Sequence, residues 1–203
     1  MRKTTLMLVL SGTVFLGAHA VHGVLGTGHV AEAQAVDPGP RYKGQNLLRP
    51  TDYREWVFLS SGLGMDYDPA PPGVERPPLF GNVYVNPTSY RAFMKTGSWP
   101  DRTIFVLEFR ASKTEGSINK VGRFQGELVA LEAEVKDSRF PDGWAFFNFT
   151  RKGQIFDVAE PLPDSAGCME CHTKHTAVEK TFVQFYPTLM EVARKMGTVK
   201  PGF

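Results

Sequence analysis

No feature constrains this chain more than the nine residues GCMECHTKH, 167–175, which hold the only two cysteines among 203 residues. Cys168 and Cys171 stand three apart, and His172 follows at once. Three kinds of site use cysteines in this way: a Cys168–Cys171 disulfide, a zinc site drawing on Cys168, Cys171, His172 and His175, or covalent haem. Zinc sites usually take their ligands from two separated pairs, and the sequence has no second pair. C-x-x-C-H is the attachment pattern of c-type haem, in which each thiol adds to a vinyl group and the histidine ligates iron. The histidine next to the second cysteine favours one haem c per chain, with His175 left as a surface residue.

The N-terminus bears on the compartment. MRKTTLMLVLSGTVFLGAHA begins with Arg2 and Lys3, continues through an apolar run from Leu6 to Leu16, and ends in Ala-His-Ala. Charged end, short apolar core and small-residue cleavage site are the order of a secretory signal peptide over residues 1–20, with cleavage as late as residue 35 the alternative. The expectation is an exported, periplasmic protein, a membrane-anchored form being the variant of it. Exported thiols tend to oxidise, so the two cysteines need a partner. The 23 basic and 21 acidic residues come into balance once Arg2 and Lys3 are removed. No cationic surface of the kind that binds nucleic acid is expected.

Residues 36–50, VDPGPRYKGQNLLRP, are polar and broken by Pro and Gly, and read as a leader to a single domain over 51–203. EWVFLSSGLGM, LFGNVYV, RTIFVLEFR and GWAFFNFT read as strands. FQGELVALEAEVKD fits a helix or an alternating strand. NPTSYRAFMKTG has a proline in its first turn and a glycine terminator, and PTLMEVARKMG places Leu189, Val192, Ala193 and Met196 on one stripe; both predict helices. TAVEKTFVQFYP also has helical spacing, through Val178, Phe182 and Phe185. The fold class predicted is α+β, a β-rich antiparallel sheet with flanking helices.

The ligand on the second side of the iron decides what a c-type haem does: two strong ligands suit electron transfer, while one open position suits gas binding or oxidation. His175 is too close in sequence to His172 to reach the far side, which leaves Met65, Met94, Met190 and Met196 as candidates and an open site as the favoured expectation. On the strand 103–110, Phe105, Leu107 and Phe109 share one apolar face, suited either to covering a haem or to ordinary core.

YREWV (53–57), VYVNPTSYRAFMKTG (83–97), FQGELVALEAEVKDS (124–138), GWAFFNF (143–149), CMECH (168–172) and FVQFYP (182–187), in this order, resemble the cytochrome P-460 family. The resemblance implies a β-rich fold, a five-coordinate c-type haem ligated by His172 and held by Cys168 and Cys171, and a homodimer. Members known best oxidise hydroxylamine and carry an extra haem bond from a lysine on the strand after PD-x-T. Here that position is Leu107, which cannot form the bond. A leucine there resembles cytochrome c′-beta, a gas-binding relative with an apolar distal pocket, and implies binding of NO or a related small ligand at a pocket lined by Leu107, Phe105 and Phe109. Glu132 matches a distal carboxylate that relays protons in the hydroxylamine-oxidising members, while an arginine accompanying it in some relatives falls on Gly81. The alternatives are hydroxylamine or peroxide oxidation at an uncross-linked haem, with Glu132 as relay, and plain electron transfer to a redox partner.

Overall fold

The computed structural model describes residues 39–67, 70–116, 118 and 120–203, so the signal-peptide reading lies outside the described residues. Within the stretch expected as a polar leader, residues 42–48 are structured. β1 (Tyr42–Lys43) and β2 (Asn46–Leu48) form a hairpin, turned at Gly44 with φ 63°. Glycine meets such a turn without the steric penalty a Cβ brings. Leu47 is fully buried by this arrangement. Composition hid that role, because one leucine in a polar segment carries no periodic signal.

Beyond a 3-10 turn at Tyr53–Glu55 come β3 (Val57–Leu63) and β4 (Leu79–Val85). β5 (Thr103–Lys113), β6 (Phe124–Lys136) and β7 (Trp144–Asn148) complete an antiparallel sheet in sequence order, β3-β4-β5-β6-β7. The ambiguous segment 124–136 is thus a strand. Its alternation places Leu131, Ala133 and Val135 in the core, and Glu132 opposite Leu107. β8 (Thr150–Arg151) and β9 (Gln154–Ile155) form a short hairpin, and β10 (Val158–Ala159) pairs with β2.

Each face of the large sheet carries its own core. Ile104, Val106, Leu131, Ala133, Val135 and Phe147 pack under the N-terminal segment, against Leu47, Tyr53 and Trp56. The opposite face is covered at one end by helices α1 (Pro87–Thr96) and α3 (Pro187–Met196). Phe93, Leu189, Met190 and Ala193 descend from them onto Val85, Phe105 and Trp144. Burying each large side chain of this set contributes roughly 1.5–3 kcal/mol. Both helices start with proline and end on a glycine in the left-handed region, Gly97 and Gly197, as the residue pattern predicts. Between them in sequence lies a shorter helix, α2 (Cys168–Lys174).

The helix expected over TAVEKTFVQFYP does not form. Only Val183–Phe185 makes a 3-10 turn. Glu179 stands at φ 50°, and Thr176 and Thr181 turn their hydroxyls onto the carbonyls of Glu179 and Val178. Local side-chain bonds of this kind compete with a helical backbone. Among the described residues no helix is long and apolar enough to cross a membrane.

Candidate functional site

The register of the large sheet selects one row of side chains. Gly81, Val83 and Val85 of β4 stand opposite Phe109, Leu107 and Phe105 of β5. The row continues through Ala130, Glu132 and Glu134 of β6 to Asn148 and Phe146 of β7. α1 and α3 cover the Val85–Phe105 end. The other end, with Gly81, Leu107, Phe109 and Glu132, is partly exposed, and Gly62 of β3 adds a second glycine beside Gly81. A Cβ on Gly81 would stand 3.6 Å from both Leu107 and Phe109. This part of the sheet is therefore a flat, mostly apolar wall.

Phe105 does not line that open part. It is 4% exposed and meets Trp99 edge-on at 4.7 Å inside the α1–α3 core. It sits two residues nearer than Leu107 to the helix-covered end, so the apolar strand face is shared between core and site.

α2 carries the cysteine–histidine motif. Cys168 and Cys171 are free thiols, each partly accessible. Burial and the nearby Glu132 carboxyl push the Cys168 thiol up from its ordinary pKa. His172 lies one position past Cys171, its ring 4.5 Å from Phe146 and 4.7 Å from Phe182. Its Nδ1 is 2.7 Å from the Lys180 carbonyl oxygen. A carbonyl only accepts, so Nδ1 carries the proton and Nε2 keeps the lone pair that a metal requires.

The loop after α2 fixes this ring. Thr176 donates to the His172 carbonyl, Gln184 donates to the His175 carbonyl, and the Ala177 amide donates to Gln184. Glu179 accepts from the Trp99 amide at 2.9 Å and pairs with Lys136. That loop is what missing the helix at 176–187 gains for the site: an irregular segment that aims the Lys180 carbonyl at the imidazole.

Glu132 is largely buried. Burial pushes its carboxyl above the usual carboxylate range, and the His172 ring opposes part of that rise. The Asn148 side-chain amide donates to it at 3.3 Å. Glu134, two residues further along the same strand, is the residue near His172 that sequence reasoning missed. Its Oε1 lies 3.3 Å from His172 Nδ1 and is buried without a hydrogen bond. Its alternation with Glu132 was visible in the sequence, but the approach of His172 depends on α2.

The four methionines separate by location. Met190 is buried in the α1–α3 core and Met94 packs against it. Met196 lies half exposed at the end of α3, while the Met65 side chain lies against Gly62 at the rim of the wall. Among the described residues no three His, Cys, Asp or Glu side chains converge as a metal cage. Cys168, Cys171 and His172 are the residues that could hold a metal-bearing cofactor, and the apolar wall at Leu107 and Phe109 would suit a flat apolar one.

The fold is α+β, and the thiol pair with its histidine is the part of it that could hold a haem. The sequence profile of the family Cytochrome P460 matches residues 50–183, and the chain belongs to that family. No curated protein matches it.

Proposed function

We propose that this protein is an exported cytochrome with one covalently held haem c, and that it binds NO or a related small ligand at an open distal position. Cys168 and Cys171 hold the haem through thioether bonds, and His172 ligates its iron through Nε2. The observation that carries the reading is the apolar wall at Leu107 and Phe109 beside Gly81. When bound, the haem would supply an iron able to take a small ligand.

The chain's residues decide which ligand suits that position. Leu107 and Phe109 offer no hydrogen-bond donor, so a ligand held against them loses its water partners there without replacement, Glu132 across from Leu107 being the neighbouring polar group. Neutral diatomic molecules lose least. Leucine at 107 also leaves the wall without the amine that cross-links the haem in hydroxylamine-oxidising relatives. Assembly as a homodimer in the periplasm, with a redox partner, belongs to the same reading.

Glu132 favours a second reading, oxidation of hydroxylamine or peroxide. It stands directly opposite Leu107, and its burial favours the protonated form. A carboxyl so placed exchanges protons near neutral pH more readily than an exposed one. Plain electron transfer needs a second strong ligand; Met94 and Met190 are engaged in the core, which leaves Met65, at the rim of the wall, as the methionine for that reading.

The test is the visible spectrum of the purified protein, ferric and dithionite-reduced, with and without NO. A high-spin c-type spectrum that NO converts cleanly supports ligand binding. A low-spin His/Met spectrum in both oxidation states overturns it. Hydroxylamine turnover with an electron acceptor, lost in Glu132→Gln, would move the assignment to the second reading.

A further inference from the structure

Beside the C-terminal end of α2 the surface forms a groove of about 380 Å³, lined by Trp144, Thr173 and three lysines, Lys136, Lys180 and Lys200. Two carboxylates, Glu179 and Asp142, line it as well. Glu179 is already engaged by Lys136 and by the Trp99 amide. Lys180 and Lys200 make no ion pair among the described residues and converge instead on Thr173. Lys180 donates to its hydroxyl at 2.8 Å, and Lys200 to its carbonyl at 3.1 Å. Lys200 is further fixed by its ammonium on Thr176 at 2.9 Å and by its amide on the Ala177 carbonyl at 2.8 Å. Two like charges held beside one residue repel each other and attract an anion. The chain that brings Lys200 here has the same sign: residues 192–203 hold Arg194, Lys195 and Lys200 and no acid.

The candidate iron ligand reaches this groove by a short route. Thr173 follows His172 in the chain, and the Lys180 carbonyl accepts from His172 Nδ1 at 2.7 Å. Electronic coupling falls steeply with distance and is carried better by covalent and hydrogen bonds than by gaps. We propose that this lysine-rimmed groove is the docking surface for an acidic one-electron carrier protein. The inference rests on the reading of His172 as the iron ligand. The carrier's carboxylates settle on Lys180 and Lys200, and Thr173 with the Lys180 peptide lies between its metal centre and His172. One electron passes between the two metal centres: the one that gives it is oxidised, the other is reduced, and no atom or proton is transferred. Charges at such a rim act mainly on the rate of encounter and are screened by salt.

The experiment uses holoprotein, its haem content measured by the pyridine haemochrome assay. Ferrous protein is oxidised in a stopped-flow instrument by the anion hexacyanoferrate(III) and, separately, by the cation tris(phenanthroline)cobalt(III). Binding of hexacyanocobaltate(III), a redox-inert trianion, is measured by isothermal titration. The expected result is that Lys200→Gln slows the anionic oxidant about threefold at low ionic strength, and that adding Lys180→Gln slows it about tenfold. Both changes weaken binding of the trianion, leave the cationic oxidant as fast or faster, and lose their effect at high salt. Lys200→Arg keeps the charge and should react like wild type, which separates charge from any loosening of the loop. Lys43→Gln, exposed on β1 across the sheet, is the distant control. Unchanged rates in the double variant overturn the proposal, even where trianion binding is lost, since that marks an anion site without an electron route. Equal slowing of both oxidants, or a loss as large in Lys43→Gln, overturns it too. Wild type that retains no haem overturns the underlying reading, and the inference with it.

Discussion

Glu108 shows how much one side chain decides on the far side of the same strand. It is fully buried, yet it accepts from Tyr53 at 2.6 Å, Asn82 at 2.9 Å, Arg54 at 2.9 Å and Arg110 at 3.1 Å. Burial pushes its carboxyl up, but bonds from Arg110, Tyr53 and Asn82 outweigh that and hold it below the usual range. Glu134, on the opposite face, has burial without those donors, and its carboxyl is pushed up. A group with a lowered folded pKa stabilises the fold above its unfolded pKa of about 4.3, and that stability is lost as pH falls through the folded value. Glu108→Leu should cost about 3 kcal/mol at neutral pH, because it leaves Asn82 and Tyr53 donors unpaired as well as two arginines. Urea unfolding should show this gap between wild type and variant closing from about pH 5 to about pH 2. A gap that stays constant over that range would mean that Glu108 is not charged in the fold.

At the scale of elements, the helices were legible and the loop that serves the site was not. Pro87, Gly97, Pro187 and Gly197 mark both ends of α1 and α3 through backbone chemistry that needs no tertiary partner. The two terminal glycines nevertheless differ. A Cβ on Gly97, at φ 72°, would stand 2.7 Å from the Met196 Cβ and 2.8 Å from Thr198 Oγ1. One on Gly197, at φ 70°, would meet nothing within 4 Å. Gly197→Ala should therefore cost only the left-handed strain, about 1 kcal/mol, whereas Gly97→Ala should cost about 2 kcal/mol or more. Thermal unfolding of the two variants side by side checks the difference, and equal losses would mean that α3 shifts to accept the methyl group. Residues 176–187 defeated the periodic reading for a physical reason. Phe182 and Phe185 do recur at helical spacing, but Phe182 packs edge-on against the His172 ring, while Phe182 and Phe185 stack with centroids 5.7 Å apart.

At the scale of the whole molecule, the five-stranded sheet divides two tasks. One face is sealed by the N-terminal segment, and the other divides into the α1–α3 core and the open wall. The seal depends on residues whose composition suggested a leader. Leu47→Ala should cost about 2–5 kcal/mol, the usual range for a buried leucine whose cavity cannot fully collapse. Deleting residues 36–50 should then uncover Tyr53, Trp56 and Ala159 and leave a chain that binds hydrophobic dyes. A truncated protein that melts like the full chain would show that the segment only rests on the core.

The sequence by itself determined the strands with regular alternation, the helices bounded by proline and glycine, the thiol pair with its histidine, and the leucine at 107. These are local facts: they follow from spacing along the chain and from what each side chain is chemically able to do. The tertiary structure alone decided that 124–136 is a strand, that Phe105 is core while Leu107 and Phe109 stay partly exposed, and that Glu134 meets His172. Each of those depends on which segment covers which part of a sheet face. An alternating strand offers the same side chains to core, cofactor or solvent, and only the elements packed against it settle which one they meet.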